Sequence, residues 1–432
     1  MIRVIDEADQ SGREHFIGLL GDRSVALDSS LLADVSAILE DVRKRGDEAL
    51  IDYAARFDSV QLNAFELRVS VETLQKSAGK LEGCVLAALR EAIQNVRTFH
   101  ERQREQSWMM THDDGTRLGQ RITPIDSVGL YVPGGTAAYP SSVVMNVVPA
   151  QVAGVSRIVV ATPPLTVQKN PAVAAALVEL GVQEVYAVGG AQAIAALAFG
   201  TNTIPRVDKI TGPGNKYVAA AKKLVFGVVG IDSIAGPSEV VIVADESARA
   251  DFVAADLLAQ AEHGEDASAV LITTSCSLAA KVAAAIEQQV SLLPRRKIIE
   301  SSLNNYGAIL VVENLSKACE LVNELSPEHL ELLTADNEAV AQEIKHAGAI
   351  FLGLYSPEAV GDYFAGPNHV LPTGRTARFA SALGVYDFIK RTSIVEYSQE
   401  AMQSAAEKIA VFAESEGLQG HALSARIRNG EE

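Results

Sequence analysis

Residues 141–215 contain SSVVMNVVPAQVAG (141–154), SRIVVATPP (156–164), PAVAAALVELG (171–181), QEVYAVGG (183–190), AQAIAALAFG (191–200) and VDKITGPGN (207–215). The first, third and fifth pieces read as buried helices. The second, fourth and sixth are short runs rich in Val and Ile that close in Pro or Gly turns, the signature of buried strands. Such alternation predicts βαβ units on a parallel sheet, hence an α/β fold. Ligand-handling residues in such sheets gather at the carboxyl ends of strands, where these Gly-rich turns fall.

The rhythm restarts further on. SEVVIVAD, ASAVLITTS and NYGAILVVE read as strands, with helices ARADFVAADLLAQAEHG and SLAAKVAAAIEQQV between them. Ala-Gln recurs in a helix before a strand in both halves (Ala150-Gln151, Ala259-Gln260), a hint of two related modules. Upstream, residues 1–23 read as a polar arm with at most one short helix near Gly12 to Leu20. Apolar spacing predicts helices through Leu31 to Val42, Leu50 to Phe57 and Leu86 to Phe99. The charged run after the third is a solvated helix end, and Trp108 with Met109 and Met110 reads as core. TRLGQRITPI and SVGLYVP have the period of strands. Tyr355 to Leu383 is Gly/Pro-rich loop, VYDFIKRTSIVEYS is extended, and residues 399–428 form one or two helices, a tail long enough to reach another subunit.

Bulk composition narrows the class. A chain of 432 residues, 48% hydrophobic and 21% charged, fits roughly two to four soluble domains. Its net charge of −17 argues against nucleic-acid and anionic-membrane partners, which select basic surfaces. Cys84, Cys276 and Cys319 are odd in number and far apart, so neither a disulfide framework nor a thiolate zinc site is indicated. The acidic start MIRVIDEADQ has no signal-peptide core, and no uninterrupted apolar run approaches the ~18 residues of a membrane span. A reduced, cytoplasmic protein is expected.

Four places carry chemistry. In ELSPEHLELL (324–333), Ser326-Pro327 reads as a helix start, which puts Glu328 and His329 in a first turn. The helix dipole there favours a charged Glu and a neutral, proton-accepting His; a plain helix start is the equally weighted alternative. In AQAEHG (259–264), Gln260 and His263 share a helix face at i and i+3 and can bind a metal, or simply end a helix. In GDYFAGPNH (361–369), Asp362 and His369 are possible ligands beside a Pro-Asn loop. In EGLQGHA (416–422), Glu416 and His421 flank a short helix start in the tail. GPGN (212–215) and VGGAQA (188–193) are Gly-rich turns, but no G-x-G-x-x-G followed by an acid appears. The residues alone support a metal-dependent α/β enzyme with a nucleotide site left open.

Together these segments closely resemble the histidinol dehydrogenase family. The resemblance runs in order through GLYVPGG (129–135), VGGAQAIAALAFG (188–200), DKITGPGN (208–215), AGPSEV (235–240), AQAEHG, SPEHLEL, GDYFAGPNHVLPTG and EGLQGHA. It implies a zinc-dependent, NAD-linked oxidoreductase acting on CH–OH, which takes L-histidinol to L-histidine through an enzyme-bound aldehyde, with one zinc per site. It implies Gln260, His263, Asp362 and His421 as zinc ligands and Glu328 with His329 as the catalytic pair. Tyr131, Gln192 and Asn215 fall at NAD-contacting positions; Ser238, His329 and Glu416, with the zinc ligands, fall at substrate positions. It implies two incomplete Rossmann-like domains, residues 24–130 with 237–381 and residues 131–236. An N-terminal arm (1–23) and a tail (382–432) complete an intertwined homodimer, the tail lending His421 and Glu416 to its partner's site. GRTARFASALG departs from the family at Arg375 and Ala382, usually Gly and Pro, which bears on local loop shape. Rival readings are a relative oxidising another small polar alcohol such as a sulfonated diol, a zinc hydrolase, and a zinc-stabilised binding protein.

Overall fold

Runs of Val, Ile and Leu with no polar interruption leave a strand nowhere to go but the middle of a sheet covered on both faces. The structure, a computed structural model describing residues 2–6, 8–22, 28–134 and 139–429, builds two such sheets. The chain divides into two units, Met1–Gln103 with Asp126–Asp387, and Arg104–Ile125 with Phe388–Glu432.

In the first unit, β4 (Ser127–Tyr131), β5 (Arg157–Thr162), β6 (Glu184–Ala187), β7 (Lys209–Thr211) and β8 (Gly230–Ile231) form a five-stranded parallel sheet in the order β6-β5-β4-β7-β8. A six-stranded parallel sheet contains β1 (Arg3–Ile5), β9 (Glu239–Ala244), β10 (Ser268–Thr273), β11 (Gly307–Val311), β12 (His329–Leu333) and β13 (Ala349–Leu352). Its order is β1-β11-β10-β9-β12-β13. Counted from β4 and from β9, both sheets have strand order third, second, first, fourth, fifth. That is the doubly wound order lacking its sixth strand, so the incomplete Rossmann-like expectation holds and the two-module hint has a topological counterpart.

Several expectations change. Residues 1–23 are not merely an arm: Arg3–Ile5 pairs with Ala308–Leu310 as an edge strand, and Gln10–Asp22 is helical, with Phe16 and Ile17 buried against the six-stranded sheet. The helices Ser29–Arg45 and Asp47–Asp58 share a core with the five-stranded sheet, through Val35, Leu39, Val42, Ala49 and Leu50, instead of joining residues 237–381. Their apolar stripes match the Ala-rich face of the Gly190–Phe199 helix, which leaves room for large side chains. Within the expected 355–383 loop, Glu358–Tyr363 forms a short helix. At Arg375 the backbone is left-handed (φ 67°), a conformation easier for glycine, so the family departure costs local strain.

In the second unit, β2 (Trp108–Thr111), β3 (Arg117–Pro124) and β14 (Ile389–Glu396) form an antiparallel sheet in the order β14-β3-β2, joined by helices Gln399–Ser415 and Gln419–Arg426. Trp108, Met109 and Met110 are exposed on its edge strand, contrary to the core reading, because a three-stranded sheet has too little cover to bury them. Among the described residues no helix is long and apolar enough to cross a membrane.

Candidate active site

ELSPEHLELL folds as a helix end followed by a strand, not as a helix start. Helix Leu315–Leu325 is closed by Ser326 in the left-handed conformation (φ 48°), whose N–H donates to the Val322 carbonyl at 2.7 Å. Pro327 cannot extend that helix, and His329–Leu333 is buried along its whole length as β12. Glu328 and His329 therefore sit at the amino end of a central strand. Beside them, at the amino end of β9, lie Ser238 and Glu239; His329 is in register with Val240. In this sheet the expected catalytic pair thus lies at the amino ends of the strands and not at the carboxyl ends.

His329 is 4% exposed, and burial pulls its imidazole down to about 4, against the opposing pull of the Asp362 charge and of its hydrogen bond to the Glu239 backbone carbonyl. It is neutral because it is dry, and no helix dipole is needed. Its Nδ1 lies 3.3 Å from the Glu239 carbonyl, an acceptor that fixes the proton on Nδ1. Nε2 is then a lone pair, buried and without a hydrogen-bond partner among the described residues. Glu328 Oε2 accepts the Glu239 N–H at 3.0 Å and lies 3.8 Å from His329 Nδ1, too far for a hydrogen bond.

Helix Ala250–Ala261 runs back from the carboxyl end of β9, so its last turn delivers Gln260 to the same edge, fully buried, with His263 just beyond. His263 Nε2 is 3.9 Å from Asp362 Oδ2, and Asp362 Oδ1 is 3.9 Å from His329 Nε2. His369 is half-buried, and desolvation lowers its imidazole; its Nδ1 is held 3.0 Å from the Asp362 carbonyl. Sequence reading missed Glu358. It is 2% exposed and stands one helical turn before Asp362, so both project from one face of the short helix. The pattern Pro-Glu-x-x-x-Asp was the available signal.

His263, Glu358 and Asp362 place one ligand atom each within 4.8 Å of one another. With its nitrogen toward Glu358, the Gln260 amide donates to both carboxylate oxygens at 2.7 and 2.8 Å and accepts from Glu239 N–H at 3.1 Å. Burial, then the charges of Asp362, Glu328 and Glu331, drive the Glu358 carboxyl well up. Such crowding of buried acids suits a divalent cation, which would relieve the repulsion. An imidazole, carboxylate and amide set without thiolate fits zinc of the nitrogen–oxygen kind.

Three more of the expected residues lie at the carboxyl edge of the five-stranded sheet. Tyr131 ends β4, Gln192 opens the Gly190–Phe199 helix after β6, and Asn215 caps the Lys216–Val225 helix after β7. Tyr131 Oη accepts the Gly190 N–H at 3.0 Å. The β4/β7 boundary is the topological switch point, where doubly wound sheets open a crevice, and two helix N-termini point there. Glu416 and His421 belong to the second unit, exposed at the end of one helix and in the first turn of the next.

Comparison with known proteins decides the family. The sequence profile of histidinol dehydrogenase matches residues 22–429. The chain belongs to the histidinol dehydrogenase family. It is 56% identical to the histidinol dehydrogenase of Geobacillus kaustophilus over 392 residues, 90% of this chain and 92% of that one. With the histidinol dehydrogenase of Gluconobacter oxydans it shares 51% identity over 427 residues, 99% of both chains. The crystal structure of histidinol dehydrogenase from Elizabethkingia anophelis superposes with a TM-score of 0.93 at 35% identity, covering 99% of this chain and 98% of that one. As a histidinol dehydrogenase the protein is an oxidoreductase of histidine biosynthesis that acts on histidinol. A betaine aldehyde dehydrogenase from Staphylococcus aureus shares the fold alone, with a TM-score of 0.51 at 14% identity over 81% of this chain and 87% of that one.

Proposed function

We propose that the chain oxidises L-histidinol to L-histidine in two NAD-linked steps at a single zinc-dependent site. The observation that carries this reading is the state of His329: neutral, with Nδ1 protonated against a carbonyl and a buried, unpartnered Nε2. That is an imidazole arranged to accept a proton. Zinc when bound would hold the substrate's imidazole and amino nitrogens, and NAD would accept hydride.

The protein's own residues then divide the work. Gln260, His263 and Asp362 hold the metal, with Glu358 orienting Gln260; His421 of the tail is the fourth ligand in the family's pattern. His329 takes the alcohol proton on Nε2 as the first hydride leaves. Glu328 activates a water that adds to the resulting aldehyde, and His329 takes a proton again during the second oxidation. Ser238 and Glu416 complete the substrate's polar surroundings. Tyr131, Gln192 and Asn215 hold the dinucleotide beside two helix N-termini, a setting suited to a pyrophosphate.

A homodimer in which the tail reaches the partner's site belongs to the same reading. Val395, Val411, Phe412, Leu423 and Ile427 of the second unit are exposed, an apolar set that a second subunit would cover. The deciding assay is NADH production from L-histidinol, repeated after chelation and after zinc restoration. Turnover should vanish with the metal and return with it. Absence of NADH from L-histidinol, with activity on another polar alcohol such as a sulfonated diol, would move the substrate assignment elsewhere.

A further inference from the structure

Gly212 opens the GPGN turn, and both of its backbone groups are taken by charged side chains. Its N–H donates to Asp232 Oδ2 at 2.8 Å, and its carbonyl accepts from Lys222 Nζ at 3.0 Å. Lys222 and Asp232 form an ion pair with each other, their side chains only 3% and 4% exposed. Two full charges lie beneath one glycine, which is an expensive arrangement by default. A buried ion pair is weak evidence for stability, since apolar residues of similar volume often serve folding as well or better. What an apolar pair cannot do is bond both the donor and the acceptor of Gly212.

The surroundings explain why that matters. Gly212 has φ 112°, and a Cβ there would lie 2.2 Å from the Tyr131 carbonyl oxygen. The turn is thus laid directly on the backbone of Tyr131. Three residues on, Asn215 caps the following helix, its Oδ1 accepting from Tyr217 N–H and Val218 N–H, so the cap occupies the amide's oxygen and not its nitrogen. Lys222 lies on that same helix, and Asp232, just past β8, donates its N–H to the Ile210 carbonyl of β7 at 3.2 Å. The pair therefore joins β7, the helix and the end of β8 to the one residue that sets the turn.

We infer that Lys222 and Asp232 are positioning residues for the dinucleotide: by clasping Gly212 they fix Asn215 and Tyr131 in the geometry that NAD requires. This rests on the reading of Tyr131 and Asn215 as NAD-contacting. Neither charge reaches the reacting atoms, so their loss acts on cofactor capture and leaves proton transfer alone.

The test uses the full-length, zinc-loaded enzyme and two variants without a stranded charge. Lys222→Met with Asp232→Leu removes both clasps. Lys222→Met with Asp232→Asn keeps an acceptor for the Gly212 N–H and removes only the carbonyl's partner, so it decides the matter should the first variant fail to fold. The KM for NAD should rise about tenfold or more in the first and less in the second. The KM for L-histidinol and zinc content should hold, and kcat at saturating NAD should fall by no more than about twofold. A lower melting temperature with an unchanged KM for NAD would make the pair structural only. A parallel loss in kcat and in both KM values would equally overturn the inference. If the parent enzyme makes no NADH, the underlying NAD reading has failed instead, and that result is distinct.

Discussion

Glu358 is a single carboxylate whose loss should be felt by a neighbour. With its nitrogen turned toward Glu358, the Gln260 amide donates to both oxygens of that carboxylate. Glu358→Ala would leave that amide free to rotate, and zinc affinity should weaken by roughly 10- to 100-fold, the usual effect of removing a residue that orients a ligand. Competition against a chromogenic chelator measures it; unchanged affinity would show that Gln260 needs no such support. His329→Asn keeps a polar group of similar size but no basic nitrogen, so oxidation should fall by about 10²- to 10⁴-fold with zinc retained. Glu328→Gln in parallel should spare the first hydride transfer and slow the second, read as accumulated aldehyde. Glu328, His329 and Gln260 were legible as types in the sequence, whereas Glu358 was not, and the reason for their behaviour was not legible for any of them. His329 was expected to be neutral because of a helix dipole, yet it is neutral through burial, and burial is a property of the strands on either side.

One left-handed residue turns the helix Leu315–Leu325 into β12. Ser326 spends about 1–2 kcal/mol in that conformation relative to an ordinary backbone state, and its Oγ donates to the Asn323 carbonyl at 2.9 Å. Ser326→Gly should change stability by no more than about 1 kcal/mol, whereas Ser326→Val adds a β-branch to a strained position and should cost about 2 kcal/mol or more. Denaturant midpoints distinguish the two; equal values would mean the backbone there is not fixed by its φ. The same element explains why the sequence reading went astray. Ser-Pro before a Glu is a legitimate helix-start signal, and nothing local says that Ser326 is already bonded backward to Val322. Where the pattern was long, as in β5, β10 and β11, elements were read correctly, because uninterrupted apolar runs have a single good environment.

His100 tests how the fold as a whole meets acid. It is fully buried, its Nδ1 bonded to the Val96 carbonyl at 2.7 Å, and burial depresses it below its ordinary 6.5. The unfolded chain therefore takes up this proton first as pH falls. The contribution to stability is intact above about 6.5 and is lost progressively below it. His100→Asn should be the less stable protein at pH 8, with the gap in melting temperature narrowing at pH 5; a constant gap would exclude the linkage. Sheet order, by contrast with such local chemistry, was not legible in the residues themselves and came only as what the family resemblance implied. The repeated Ala-Gln hinted at two modules, but the shared strand order emerges only once each strand has chosen its neighbours. That shared order also carries an asymmetry, since the residues proposed to act lie at opposite ends of the two sheets. The β9–β12 sheet keeps its proposed chemistry at the amino ends, so the connections leaving its carboxyl ends are spare surface. The exposed turn at Glu246 and Ser247 is one of them. A short fluorescent or affinity tag inserted between these two residues should be carried without loss of turnover, whereas the same insertion into the turn at Gly212 should silence the enzyme. The fold thus offers a handle on the face where evolution left no reagent.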